Sequence, residues 1–219
     1  ELINPRNNEV TMRLNACKVF NLVTRLAWQY GDPGLVFIDR MNEPSSNPIP
    51  RVGRIESTNP CGEQPLLPYD ACNLGSVNLA RMVKGGDMDW EELARVVREG
   101  VRFLDDIVEI NDFPVEKIRE MVSKTRRVGL GVMGFADMLF KLGVRYDSEE
   151  GAAWAEKIMK FVSEKAKEAS VELGEKRGVF PLWEMSVYAG SNYRPRNMAL
   201  TTIAPTGTIS VIADASSGI

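Results

Sequence analysis

Residues 56–79 read ESTNPCGEQPLLPYDACNLGSVNL and set Asn59, Cys61 and Glu63 at alternate positions around Pro60 and Gly62, with a second thiol at Cys72. Pro60 restricts Asn59 to extended backbone and Gly62 frees the chain after the thiol, so an amide, a thiol and a carboxylate project from one tight loop. A carboxylate this close opposes thiolate formation by like-charge repulsion, which suits a thiol acting in neutral or radical form better than an ordinary nucleophile. Glu63 is then placed to act as general base toward a substrate hydroxyl. The competing reading makes Cys61 a small buried hydrophobe and Glu63 a surface residue, and composition alone favours it.

Several chemistries are excluded. The chain has no histidine, so neither a Cys–His nucleophilic pair nor a His-ligated metal site can be built from its residues. A hydrolase reading would need a histidine from other sequence. Cys17, Cys61 and Cys72 stand 44 and 11 residues apart with no CxxC, a poor pattern for zinc or an iron–sulfur cluster, and no metal is expected on this segment. Cys17 sits in a helical pattern with Leu14 and Phe20 three residues to either side, which predicts a buried core thiol instead of a redox partner.

A second stretch with chemical potential is TTIAPTGTISVIAD, residues 201–214. Small hydroxyl residues and glycine after an apolar run can open a helix whose free N–H groups hold a phosphate. The lysine and GK[ST] ending of a Walker A loop are missing, and PTGT alone is an ordinary turn. GLGVMG, Gly129 to Gly134, satisfies GxGxxG. It follows a charged helical segment instead of an apolar strand, which argues against a dinucleotide fingerprint.

The elements that must position these residues follow from periodicity. Residues 10–30 predict a helix stopped by GDPG, and LVFIDR predicts a short strand before the loop 42–50. Asp89 is placed to cap the helix from Trp90, Pro114 to begin another, and residues 148–175 to form a long helix closed by Gly174 and Gly178. Asp105, Asp106 and Glu109 read as a solvated helix face, and Trp154, Ile158, Phe161 and Val162 as a packing stripe. Residues 197–214 predict a strand, a turn and a further apolar run. Alternating helices and strands make the class α/β. With 44% hydrophobic residues the chain can bury a core. The 27 Lys and Arg are dispersed against 30 Asp and Glu, which excludes a basic nucleic-acid footprint. No apolar run reaches the ~18 residues of a membrane span. Three sparse cysteines fit a reducing, cytoplasmic setting. The start without Met and the end at DASSGI predict a piece of a longer chain.

The wording NPCGEQPL…CNLGSVNL resembles the active-site segment of ribonucleotide reductase large chains, most closely those that depend on adenosylcobalamin. The resemblance implies that residues 1–219 are a segment of the catalytic barrel domain, incomplete at both ends. It implies a ten-stranded α/β barrel with a central cysteine-bearing finger loop. Cys61 matches the transient thiyl radical that takes hydrogen from the ribose 3′ carbon, Glu63 the base for the 3′ hydroxyl, and Asn59 the residue that orients the sugar. Cys72 matches one thiol of the dithiol that supplies reducing equivalents, whose partner lies upstream in the family. Ala204, Pro205, Thr206, Gly207, Thr208, Ile209 and Ser210 match a loop that holds the substrate diphosphate or triphosphate. GLGVMGFADML matches a barrel strand and helix where glycines permit close packing. The implied partners are a ribonucleotide, an external thioredoxin-like dithiol and a second copy of the complete chain. The alternative from another class is a non-catalytic nucleotide- or phosphate-binding module with structural cysteines.

Overall fold

A computed structural model of the protein describes residues 1–219, which divide into two compact units, Glu1–Phe37 and Ile38–Ile219. In the first, β1 (Leu2–Ile3) pairs antiparallel with β2 (Val10–Met12), and α1 spans Ala16–Tyr30. The helix predicted from residue 10 starts at Ala16 because Asn15 caps it, its Oδ1 accepting from Lys18 N–H at 3.1 Å. Gly31 ends it at φ +80°, as GDPG predicted. No residue of α1 is buried, and Cys17 is exposed instead of lying in a core. A two-stranded ribbon is too small to cover the helix's apolar face within this unit.

The second unit begins with α2 (Ile38–Met41). The predicted strand at residues 35–40 is therefore a single helical turn preceded by irregular chain. Asn42 decides this locally: its Nδ2 donates to the carbonyls of Ile38 and Ile55, both at 2.9 Å, and its Oδ1 accepts from Ile55 N–H at 2.8 Å. A short antiparallel ribbon follows, β3 (Ser57–Thr58) with β4 (Pro65–Leu66). Next come β5 (Asn73–Asn78) and the tight hairpin of β6 (Val83–Lys84) and β7 (Asp87–Met88), turned by Gly85 and Gly86 at positive φ.

The helical layer is α3 (Trp90–Ile110), α4 (Glu116–Thr125), α5 (Phe135–Leu142) and α6 (Glu149–Arg177), with β8 (Val128–Met133) between α4 and α5 and the short α7 (Gly207–Ile212) near the end. Asp89 caps α3 by accepting from Glu92 N–H at 2.9 Å, and Ser148 caps α6 by accepting from Gly151 N–H at 3.1 Å. Gly178 ends α6, whereas Gly174 lies inside it: a Cβ there would stand 2.3 Å from the Arg194 carbonyl, so glycine serves a close approach and not a stop. Pro114 precedes α4, whose N-cap is Val115.

β5 and β8 pair in parallel, Asn73 opposite Val128 through Asn78 opposite Met133. The predicted strand at 198–203 lies along the other edge of β8 as one bridge, Leu130 to Thr201, extended by Leu130 N–H to Leu200 O at 2.8 Å and Thr202 N–H to Leu130 O at 3.2 Å. Val77, Val128, Leu130 and Val132 face the helices and pack with Leu93, Val97, Val101 and Leu104 of α3 and Ile158, Val162 and Ala166 of α6. The parallel pair is closed by helical crossover, the only economical connection for parallel strands. No helix is long and apolar enough to cross a membrane.

Asp105 overturns the expected solvated face. It is fully buried and accepts from Arg126 Nε at 2.9 Å and Nη2 at 2.7 Å, from Arg177 Nη1 at 3.1 Å and from Asn197 Nδ2 at 2.9 Å. Period alone could not separate it from its half-buried neighbour Asp106, because its partners come from the end of α4, from α6 and from the chain after α6. Removing one member of a buried ion network leaves uncompensated charge. Asp105→Ala is accordingly expected to destabilise the protein by about 3–5 kcal/mol in denaturant titration, against under about 1 kcal/mol for Asp106→Ala at the rim.

Candidate active site

The cysteine loop is the connection of the β3–β4 ribbon. Asn59 closes it from both sides: its N–H donates to the Gln64 carbonyl at 3.2 Å and its Oδ1 accepts from Gln64 N–H at 3.0 Å. Gly62 N–H returns to the Asn59 carbonyl at 3.0 Å with φ at +81°, a conformation that favours glycine. Cys61 therefore stands exposed at the loop tip, not buried as the composition-based reading had it. The Asn59 amide oxygen that sequence reasoning turned toward a ligand is engaged in holding the loop.

Glu63 is anchored by its backbone: Thr202 Oγ1 donates to the Glu63 carbonyl at 3.0 Å. Its Oε2 is buried and has no hydrogen-bond partner. A buried carboxylate oxygen left unpaired is costly, which marks Glu63 as a group available to a donor from outside these residues. The loop can lie this close because β8 presents glycine on that face. A Cβ on Gly129 would fall 2.7 Å from Leu74 Cδ2 and 2.8 Å from Gln64 Nε2, and one on Gly131 would fall 2.5 Å from the Thr202 carbonyl oxygen. GLGVMG is thus a packing device at a strand, as the resemblance implied, and not a dinucleotide loop.

Cys72 immediately precedes β5 and is partly buried, its Sγ 3.4 Å from the Asn73 carbonyl. Burial pushes the thiol up to about 12; Arg127 pulls it down, while Asp70 and Glu63 add to the rise. At neutral pH Cys72 is a protonated thiol. Glu63 of the cysteine loop is among the charges that raise its pKa, after burial and Asp70.

Downstream of Thr202 the chain enters the second candidate stretch. Ala204 is buried, Pro205 exposed, and Thr206 adopts φ +56° at the N-cap of α7. A β-branched residue in the left-handed region is rare and must be held there. The hold is Thr206 Oγ1 accepting from Gly218 N–H at 2.8 Å. Gly207, Thr208 and Ile209 are exposed in the first turn, where N–H groups have no intrahelical acceptor, while Ser210 is buried and its Oγ donates to the Gly207 carbonyl at 3.2 Å. Gly134 N–H donates to the Ser216 carbonyl at 2.7 Å, so this segment closes over the end of β8.

Sequence reasoning missed Gln64, Asp70, Arg127 and Thr202. Asp70 lies two residues before Cys72 and so shares its face of the extended chain, which is the one signal that was available. No convergent group of three or more Cys, Asp or Glu side chains is present to hold a metal ion.

Two outcomes are expected. Gly131→Ala should cost about 1–3 kcal/mol in stability by displacing the Thr202 backbone, whereas Gly53→Ala, whose new methyl meets only Leu67 Cδ2 at 3.5 Å, leaves it unchanged. In iodoacetamide labelling read by peptide mass spectrometry, exposed Cys17 and Cys61 should react first and Cys72 last, its rate still rising toward pH 12. Because the unfolded chain releases the Cys72 proton first, the same shift lowers folding stability as pH rises from the ordinary thiol range toward 12.

Residues 3–194 match the family description "Ribonucleotide reductase, barrel domain". The chain is 49% identical over its whole length to a vitamin B12-dependent ribonucleoside-diphosphate reductase of Thermoplasma acidophilum, and 48% identical to one of Mycobacterium tuberculosis. It spans 28% and 31% of those relatives' own lengths. Among solved structures, the alpha subunit of the class Id ribonucleotide reductase of Actinobacillus ureae superposes with a TM-score of 0.75 at 23% identity, over 92% of this chain and 39% of that one. A parallel β5–β8 pair backed by helices, a cysteine loop laid on glycines and these similarities lead to one conclusion: the chain belongs to the ribonucleotide reductase family and forms part of its barrel domain.

Proposed function

We propose that this chain is the part of a ribonucleotide reductase that carries the radical thiol, the base and one redox thiol, and that the complete protein reduces ribonucleoside diphosphates to 2′-deoxyribonucleotides. The observation that carries this reading is the pairing of an anchored Glu63 whose Oε2 is buried without a donor with a protonated Cys72 beside it. A substrate hydroxyl is the missing donor for Glu63.

In this reading Cys61, as thiyl radical, takes the 3′ hydrogen atom and becomes a thiol, leaving a carbon radical on the ribose. Glu63 accepts the 3′ hydroxyl proton. The 2′ hydroxyl leaves as water with a proton from the dithiol to which Cys72 belongs; that dithiol then gives a hydrogen atom to the 2′ carbon and an electron to the 3′ carbonyl, becoming a disulfide, while Glu63 returns its proton to the 3′ oxygen. Cys61 returns the hydrogen atom to the 3′ carbon. A protonated Cys72 is what the water-forming step requires, and burial keeps it so. Asn59, held in the loop by Gln64, positions the sugar through the rest of its amide. The segment Ala204 to Ser210 receives the diphosphate at the exposed first turn of α7.

The cofactor proposal, adenosylcobalamin, rests on the names of the relatives that match the whole chain. The chain has no histidine to ligate cobalt and no convergent set of three or more carboxylates and thiols, so these residues do not fit a site that holds the cofactor by its metal. What they offer is an exposed Cys61 at a loop tip. An external dithiol of thioredoxin type and a second copy of the complete chain complete the proposed partners.

In the complete protein, Cys61→Ser is expected to reduce deoxyribonucleotide formation to background while substrate affinity, read by equilibrium dialysis, stays within about twofold. Retained reduction would defeat the proposal, and a module that only binds phosphate would have no activity to lose.

A further inference from the structure

Arg126 and Arg127 stand next to each other ahead of β8, each 3% exposed. Their side chains turn to opposite sides. Arg126 closes on Asp105 among the helices. Arg127 turns to the face of Gly129 and Gly131, where its Nε donates to Asp70 Oδ2 at 2.8 Å. Its Nη2 is buried and has no hydrogen-bond partner. Guanidinium carries only donors and stays charged, so a buried unpaired N–H is costly and must be understood from what it faces.

The register supplies the answer. Asn73 lies opposite Val128, and the same register carried one residue back sets Cys72 beside Arg127, whose charge acts on the thiol. Asp70 is fixed in turn, its Oδ1 accepting from Thr125 Oγ1 at 2.9 Å and from Ala71 N–H at 3.1 Å, so the guanidinium cannot swing away. The charged groups that act on Cys72 are Arg127 from the β8 side, Asp70 from its own segment and Glu63 from the finger loop. Arg127 is the one cation among them.

We infer that Arg127 is a positioning residue for the redox cycle of Cys72, its Asp70-anchored guanidinium stabilising the Cys72 sulfur as an anion when a disulfide at that sulfur is reopened by an external dithiol. This rests on the reading of Cys72 as a redox thiol. In the step, a thiolate of the external dithiol attacks the sulfur bonded to Cys72. The S–S bond breaks, a mixed disulfide forms, and the electron pair departs on Cys72 Sγ. The second external thiol resolves the mixed disulfide, so the external dithiol is oxidised, and Cys72 then takes a proton from water. A thiolate leaves faster the better its anion is stabilised. Burial, Asp70 and Glu63 all oppose that anion, and Arg127 offsets them. The same strand entry therefore keeps a proton on Cys72 at rest and lowers the barrier to releasing it as thiolate.

The test uses the complete protein with Arg127→Met, Arg127→Lys and, because Arg127→Met strands a buried carboxylate, the paired variant Arg127→Met/Asp70→Asn. Two rates are read by mass spectrometry of the Cys72 peptide: alkylation of the reduced protein near pH 9, and reopening of its disulfide by excess dithiothreitol after turnover without reductant. Both should fall at least about tenfold in Arg127→Met. The fall should be smaller in the paired variant and largely restored in Arg127→Lys, with alkylation of exposed Cys61 unchanged. A merely structural role predicts the opposite sign, since a loosened strand exposes Cys72 and speeds its labelling. Unslowed Cys72 rates in both Arg127→Met and the paired variant, with a Cys72 disulfide formed on turnover, would sink this inference alone. No Cys72 disulfide in the unsubstituted protein after such turnover would sink the redox reading and this inference together.

Discussion

Two buried arginines at one strand entry are the constraint on which the rest of this structure depends. A guanidinium taken out of water must find anions, and it finds them only if distant parts of the chain arrive together. Arg126 draws α3 and the chain after α6 onto the helix side of β8, its guanidinium binding Asp105 and Glu109 and its carbonyl accepting from Asn197. Arg127 draws the segment leading into β5 onto the opposite side through Asp70. Because these two side chains turn to opposite sides, one dipeptide joins the packing layer to the layer of the cysteine loop. The left-handed φ of +49° at Arg126, where α4 ends, is strain that these ion pairs hold in place.

On the chemical side the strand contributes absence of bulk. Gly129 and Gly131 leave room for Leu74, Gln64 and the Thr202 backbone, and Thr202 in turn carries the Glu63 carbonyl. The loop is thus located by backbone contacts, while the groups proposed to do chemistry are left open: Cys61 is exposed and Glu63 Oε2 is unpaired. That division suits catalysis, because a side chain already satisfied by the protein has little left to give a substrate. Cys72 differs in being enclosed, and enclosure sets its protonation.

Local signals were read well where the deciding atoms are close in sequence. Asp89 and Ser148 cap the helices that start beside them, and Gly31 and Gly178 end helices as their lack of a Cβ allows. The cysteine loop and its Gly62 turn were visible in short stretches of sequence, and the glycine strand came from the family resemblance alone. Residues 35–40 misled because an apolar run carries no period of its own, and the Asn42 side chain settles its conformation through Ile55, thirteen positions on. Asp105 misled because its three arginine partners lie on separate elements. Cys17 misled because a helical apolar face states that something should cover it without saying what, and in its own unit nothing does.

By itself, then, the sequence determined which residues are proposed to carry the chemistry: the amide, thiol and acid of one loop, a second thiol eleven residues on, and the hydroxyl-rich turn near residue 206. These follow from residue type and short-range geometry, which the chain carries in its order. Only the tertiary structure decided that Asn59 locks the loop, that Thr202 anchors Glu63, and that Arg127 binds Asp70 where β8 begins, beside the start of β5. Those outcomes depend on which strand lies beside which and in what register, and pairing across more than fifty residues is set by the balance of buried charge and packed volume over the whole unit, not by any local stretch.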